Sequence, residues 1–232
     1  MSSLLFGEIV EPTTRALIDD DLEEYPEYIQ NPLEWEGNCE TPNQIDTLVF
    51  VETEKVKKLL NSCVLLNLKS IGKLKSAGVE IYNIKENVYV ITHFEQKDFN
   101  TGEIVEAFEN WIKIAKHIYA VTSDSIYNYQ NGDLYEKPSA LLRMLSNDPE
   151  EKIHCGQLET PNLVTGLGAN VLSYCIHTEL KCTLFIAYVD NSPLDSANIG
   201  VLLDLFTRLD IPVSKKVITE RGEDLSSSNL YI

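Results

Sequence analysis

"LVTGLGANVLSYCIH", residues 163–177, is followed after four intervening residues by "CTLFIAYV", residues 182–189. In the first stretch Val164, Leu167, Val171 and Cys175 fall on one side at the helical period, which predicts a helix. The second is a nearly unbroken apolar run of strand length, as expected of a strand buried on both faces. A helix that feeds directly into a two-sided buried strand is the repeating unit of an α/β sheet.

The same alternation extends through the chain. "IDTLVFV" (45–51) reads as a strand and the charged "ETEKVKKLLN" after it as a brief helix. "CVLLNL" (63–68) and "VYVIT" (88–92) read as strands, the latter in a hairpin in which "EIYNI" turns through Lys85, Glu86 and Asn87. "EIVEAFENWIKIAKH" (103–117) gives the clearest helix, with Ile104, Phe108, Trp111, Ile112 and Ala115 on one face, and "IYAVT" (118–122) follows as a strand. Residues 123–162 read as loop-rich, with Asn131-Gly132 and prolines 138, 149 and 161 as turn signals. Asn198–Leu209 forms a last amphipathic helix with Ile199, Leu202, Leu203 and Phe206 inward, and "LDIPVSKKVITERGED" has room for a short strand. The fold class expected from this order is α/β, a largely parallel sheet with one antiparallel hairpin.

Charge sets the N-terminal segment apart from the rest. The formal net charge is −17, and between Arg15 and Lys55 there is no Lys or Arg against twelve acids. Such a block reads as a solvated, partly disordered arm, and "LLFGEIV" (4–10) ahead of it reads as one short strand. Nucleic acid is a poor partner for a chain without clustered Lys and Arg. No apolar run is long enough to span a membrane, and "MSSLLFGEIVEP" lacks the basic and apolar regions of a secretory signal. Five scattered cysteines, 39, 63, 155, 175 and 182, contain no CxxC pair, so free thiols in the cytoplasm are expected. The expected organisation is an acidic segment over 1–44, one α/β domain over 45–225 and a tail over 226–232.

Catalytic chemistry finds little support. "TGLGAN" (165–170) lacks the third glycine of a dinucleotide loop and the Lys-Ser/Thr of a Walker loop, and follows a Pro-Asn turn instead of a strand. Its glycines are better read as allowing close helix packing. His154-Cys155 and Cys175-x-His177 bring thiols near imidazoles in sequence, but at spacings that do not converge in a helix or strand. His93, His117, His154 and His177 with the cysteines match no zinc spacing. Cys175 and Cys182 read as core residues. No cofactor or metal is expected.

The informative end is "SSSNLYI" (226–232), a polar leash with Leu230, Tyr231 and Ile232 at its tip. A hydrophobic residue, then Tyr, then a residue with a free carboxylate resembles the docking tail by which proteasome activators and assembly factors enter pockets between α-ring subunits. "LETPNLVTGLGANVLSYC" (158–175) and "CTLFIAYVD" (182–190) resemble the C-terminal half of the proteasome assembly chaperone 1 family, and "LLFGEIV" resembles its start. The resemblance implies a doubly wound, nucleoside-phosphorylase-like fold with helices on both faces, used for binding and without catalytic residues. It implies a heterodimer with a second assembly chaperone, seated on the α ring of the proteasome core particle in the cytoplasm or nucleus. Leu230, Tyr231 and Ile232 are the partner-binding residues it implies. Two rivals remain open at the level of sequence: a C-terminal ligand for PDZ domains, through Leu230-x-Ile232, and a nucleoside hydrolase- or phosphorylase-like enzyme on the same fold, which fold analogy alone does not warrant.

Overall fold

The computed structural model describes residues 32–66, 68–93, 100–130, 138–190 and 196–214. The strand expected at 4–10, most of the acidic arm, and the tail lie outside these residues.

Nine strands of the described residues form one sheet: β1 (Trp35–Gly37), β2 (Ile45–Val51), β3 (Gly72–Leu74), β4 (Val79–Lys85), β5 (Val88–His93), β6 (Ala115–Ser125), β7 (Ala140–Ser146), β8 (Gly156–Gln157) and β9 (Cys182–Val189). Their order is β1-β3-β4-β5-β2-β6-β9-β7-β8. The centre, β5-β2-β6-β9, is parallel throughout, and antiparallel pairing flanks it on both sides, through β4, β3 and β1 on one and β7 on the other. The expected hairpin is β4–β5, closed by Glu86 and Asn87, with Asn87 at a φ of 57°. Asn tolerates that left-handed conformation better than most residues.

Helices cover both faces. They are α1 (Glu54–Cys63), α2 (Thr101–Ala107), α3 (Glu109–Ile114), α4 (Leu167–His177) and α5 (Ser196–Arg208). Period-two alternation in the central strands sorts their side chains between two cores. Leu48 and Phe50 of β2 and Leu184 and Ile186 of β9 meet Ile104, Phe108 and Trp111 of α2, the α2–α3 junction and α3, together with Val171 and Cys175 of α4. Val49 and Val51 of β2 and Phe185 and Ala187 of β9 meet Leu59 and Leu60 of α1 and Leu202, Leu205 and Phe206 of α5. That two-sided burial is why the central strands are nearly continuous in apolar residues. The fold is therefore the expected α/β sheet, parallel at its core and covered on both faces.

Three expectations need correction. Residues 63–68 are not a strand: α1 runs to Cys63, and the amides of Val64 and Leu65 both donate to the Leu60 carbonyl, at 2.8 Å each, to close the helix. Leu65 is carried by that turn into the core on the α1 side of the sheet without itself pairing as a strand. The helix expected over 103–117 breaks at Phe108, whose amide is shared between the carbonyls of Ile104 and Val105. Ala115–His117 is drawn out of the helix by β2, pairing Ala115 with Ile45 and His117 with Thr47. The stretch 123–162 is not all loop, since β7 pairs along its whole length with β9. In addition β1, within the acidic segment, pairs with β3.

Candidate functional site

Open α/β sheets bind at the carboxyl ends of their strands, where the chain's direction of travel across the sheet reverses. Here the chain leaves β2 through α1 toward β3, β4 and β5, then returns over α2 and α3 to reach β6 on the other side. Beyond the ends of β2, β6 and β9 lies a crevice of about 530 Å³, within the roughly 300–1,000 Å³ range of ligand sites.

Its walls follow from local backbone demands. The β2 exit turns sharply at Thr53, which has a φ of 78°, an uncommon and strained value for a β-branched residue. Thr53 does not cap α1; its hydroxyl instead meets that of Ser123 at 2.7 Å, tying the β2 exit to the β6 exit. One residue earlier, the Glu52 carboxylate accepts the first amides of α4, from Leu167 at 2.8 Å and Gly168 at 3.1 Å. Those amides are the positive end of the helix, so the position where an anionic ligand could bind is already held by a carboxylate of the protein.

The same contact explains the glycines of "TGLGAN". Gly166 has a φ of 93°, and a Cβ there would lie 2.3 Å from a Glu52 oxygen. A Cβ on Gly168 would lie 2.8 Å from Leu184 Cδ1 and 3.6 Å from Ala120 Cβ. The expected packing role holds: both glycines let α4 press against β6, β9 and Glu52. Sequence reasoning missed Glu52 because nothing local marks it; its partners stand more than a hundred residues away.

The rest of the crevice is polar and acidic. Asp124 accepts a hydrogen bond from the Asn128 side chain at 2.8 Å, and Glu54 pairs with Lys58 at 2.6 Å. No Lys, Arg or His is among the lining residues. On the rim, Leu163 is 86% exposed and the neighbouring loop carries Tyr127 at 70%. Those two loops are fastened together. The Asn162 side chain accepts from the Gln130 amide and donates to its carbonyl, both at 2.8 Å. Below them, buried Tyr129 donates to Glu159 at 2.7 Å, and Arg143 donates to both, with its guanidinium 5.2 Å from the Tyr129 ring centre.

The thiols and imidazoles considered earlier do not assemble. Cys175 is buried in the core while His177 is exposed, and His154 is exposed beside half-buried Cys155. Cys182 is buried beside Cys175 in the core, as expected. Leu230, Tyr231 and Ile232 fall outside the described residues.

The architecture is an α/β sheet, parallel at its centre and covered by helices on both faces. It is shared with a crystal structure of PbaA from Pyrococcus furiosus, an archaeal homolog of proteasome-assembly chaperone (TM-score 0.56, 16% identity, 84% of this chain and 94% of that one). It is shared likewise with PbaB of the same organism, an archaeal proteasome activator (TM-score 0.56, 10% identity, 84% of this chain and 96% of that one). In sequence, the chain is 35% identical over 107 residues to proteasome assembly chaperone 1 of Xenopus tropicalis, a match spanning 42% of this chain and 37% of that relative. A family model described as PAC1, proteasome assembly chaperone 4, matches residues 51–223. The chain belongs to the proteasome assembly chaperone family.

Proposed function

We propose that this protein is one subunit of a heterodimeric chaperone for assembly of the proteasome core particle. The observation that carries the reading is the family match across residues 51–223. In this reading the chain pairs with a second assembly chaperone of the same fold and sits on the outer face of the α ring. It holds ring subunits together and blocks premature docking of activators and incorrect pairing of rings, in the cytoplasm and nucleus. It needs no cofactor and performs no catalysis, in keeping with a crevice whose helix-end amides are taken by Glu52.

Leu230, Tyr231 and Ile232 form the docking tail. Leu230 and the tyrosine ring supply apolar area, the phenol finds a partner at the pocket lip, and the carboxylate of Ile232 pairs with a lysine or backbone amides. Ser226–Asn229 give it reach, and a second tail on the partner subunit makes the second insertion intramolecular.

The test is affinity capture from cell extract with the full chain, a version lacking 230–232, and Tyr231→Ala. The full chain recovers one partner of the same fold together with α-ring subunits; both variants keep the partner and lose most of the ring. Loss of the partner as well makes the tail structural. Recovery of ring subunits by neither form overturns the reading and favours a PDZ-type ligand, which depends on Leu230 and Ile232 and tolerates change at Tyr231.

A further inference from the structure

We propose that the crevice at the ends of β2, β6 and β9 is a socket for an arginine side chain of a partner protein, presented beside an apolar residue that covers Leu163. The proposal does not depend on the tail.

Two independent features converge. The first is an unanswered charge. Of the three carboxylates lining the crevice, Glu52 is neutralised by the start of α4 and Glu54 by Lys58. Asp124 has hydrogen bonds from Asn128 and the Ser125 amide but no ion-pair partner among the described residues. The second is an unused hydroxyl. Thr122 is 6% exposed, lines the crevice, and its side chain makes no hydrogen bond among the described residues. Its oxygen is not among the buried unpartnered atoms of the described residues, so it opens on the crevice and is free to meet a donor that enters there. Carboxylate, hydroxyls and the Asn128 amide form a set rich in acceptors. An arginine fork offers five donors in one plane and meets several acceptors at once, which an ammonium does less well.

The rim supports the same occupant. Leu163 is held almost fully exposed on a loop pinned by Asn162 to Gln130 and by Glu159 to Tyr129 and Arg143. Its backbone is already ordered, so covering Leu163 costs little further conformational freedom. A second copy of this chain is disfavoured as the occupant, because each copy brings a formal charge of −17.

The experiment is a titration of the isotope-labelled full chain, followed by amide NMR shifts, with acetyl-Gly-Leu-Arg-Leu-Gly-amide and its glutamate counterpart. The arginine peptide is expected to cause saturable shifts at Thr122–Asp124 and Leu163–Gly166, and the glutamate peptide to cause none. Thr122→Val and Asp124→Asn each weaken the arginine peptide by about fivefold to tenfold, while the Leu167 and Gly168 amide positions stay put and report an intact fold. Absence of saturable shifts, or shifts that ignore both substitutions, overturns the proposal. Equal saturation of the same residues by spermidine assigns the crevice to small polycations and overturns protein docking. The titration contains no proteasome component, so its failure leaves the chaperone reading standing.

Discussion

Gly166 shows how much of the fold can rest on one missing carbon. Its φ of 93° and the 2.3 Å approach of Glu52 together exclude a side chain. Gly166→Ala therefore meets two penalties, a left-handed backbone costing about 1–2 kcal/mol and displacement of the carboxylate that neutralises the start of α4, worth about 0.3–1 kcal/mol or more. We predict a loss of roughly 2–3 kcal/mol in urea unfolding, with Leu167 and Gly168 amides exchanging faster than the rest of α4. Glu52→Gln keeps the shape and removes the charge, so it falls between wild type and Gly166→Ala. If Gly166→Ala unfolds at the wild-type midpoint, the glycine is incidental.

Between elements, the foot of the sheet is joined by Asp46. It stands at the start of β2 and accepts from Lys116 at the start of β6, from Asn87 in the β4–β5 turn, and from Gln44. Those hydrogen bonds, Lys116 first, hold its carboxyl down from 3.8 to about 2. A carboxylate with a depressed folded pKa stabilises the fold above its unfolded value, and the contribution fades as pH falls from 3.8 toward about 2. Asp46→Asn is thus predicted to lower the urea midpoint at neutral pH, and the gap to wild type should narrow below pH 4 and close near pH 2. A gap independent of pH would show that the carboxylate charge contributes nothing. Elements of this kind were legible to different degrees. β9 was read to its exact bounds and β2 likewise, because both are buried on two faces and carry uninterrupted apolar runs. The buried face of α2 and α3 was also legible, although not the break at Phe108, which is imposed by pairing of Ala115–His117 to β2. β7 was invisible because its residues are half-buried without alternation and proline signals surround it. β1 and β3, three residues each, are too short to show any period. The crevice was illegible for another reason: Glu52, Thr122 and Leu163 meet only through the sheet order.

For the whole molecule, charge and topology govern behaviour in solution. The sequence isoelectric point of about 4.6 and charge of −17 keep copies apart at neutral pH. Light scattering should therefore rise as pH approaches 4.6 and fall again with modest further acidification or a return to neutrality; a flat profile would mean that surface apolar patches, not charge, control association. The order of the strands carries a consequence for how the chain is made. β9 lies between β6 and β7, yet it is translated after both. Until residue 189 has left the ribosome, β6 and β7 each present an open hydrogen-bonding edge with apolar neighbours, the arrangement most prone to pairing with another nascent chain. Among the described residues the sheet becomes continuous only when β9, the last of its strands in sequence, pairs with β6 on one side and β7 on the other.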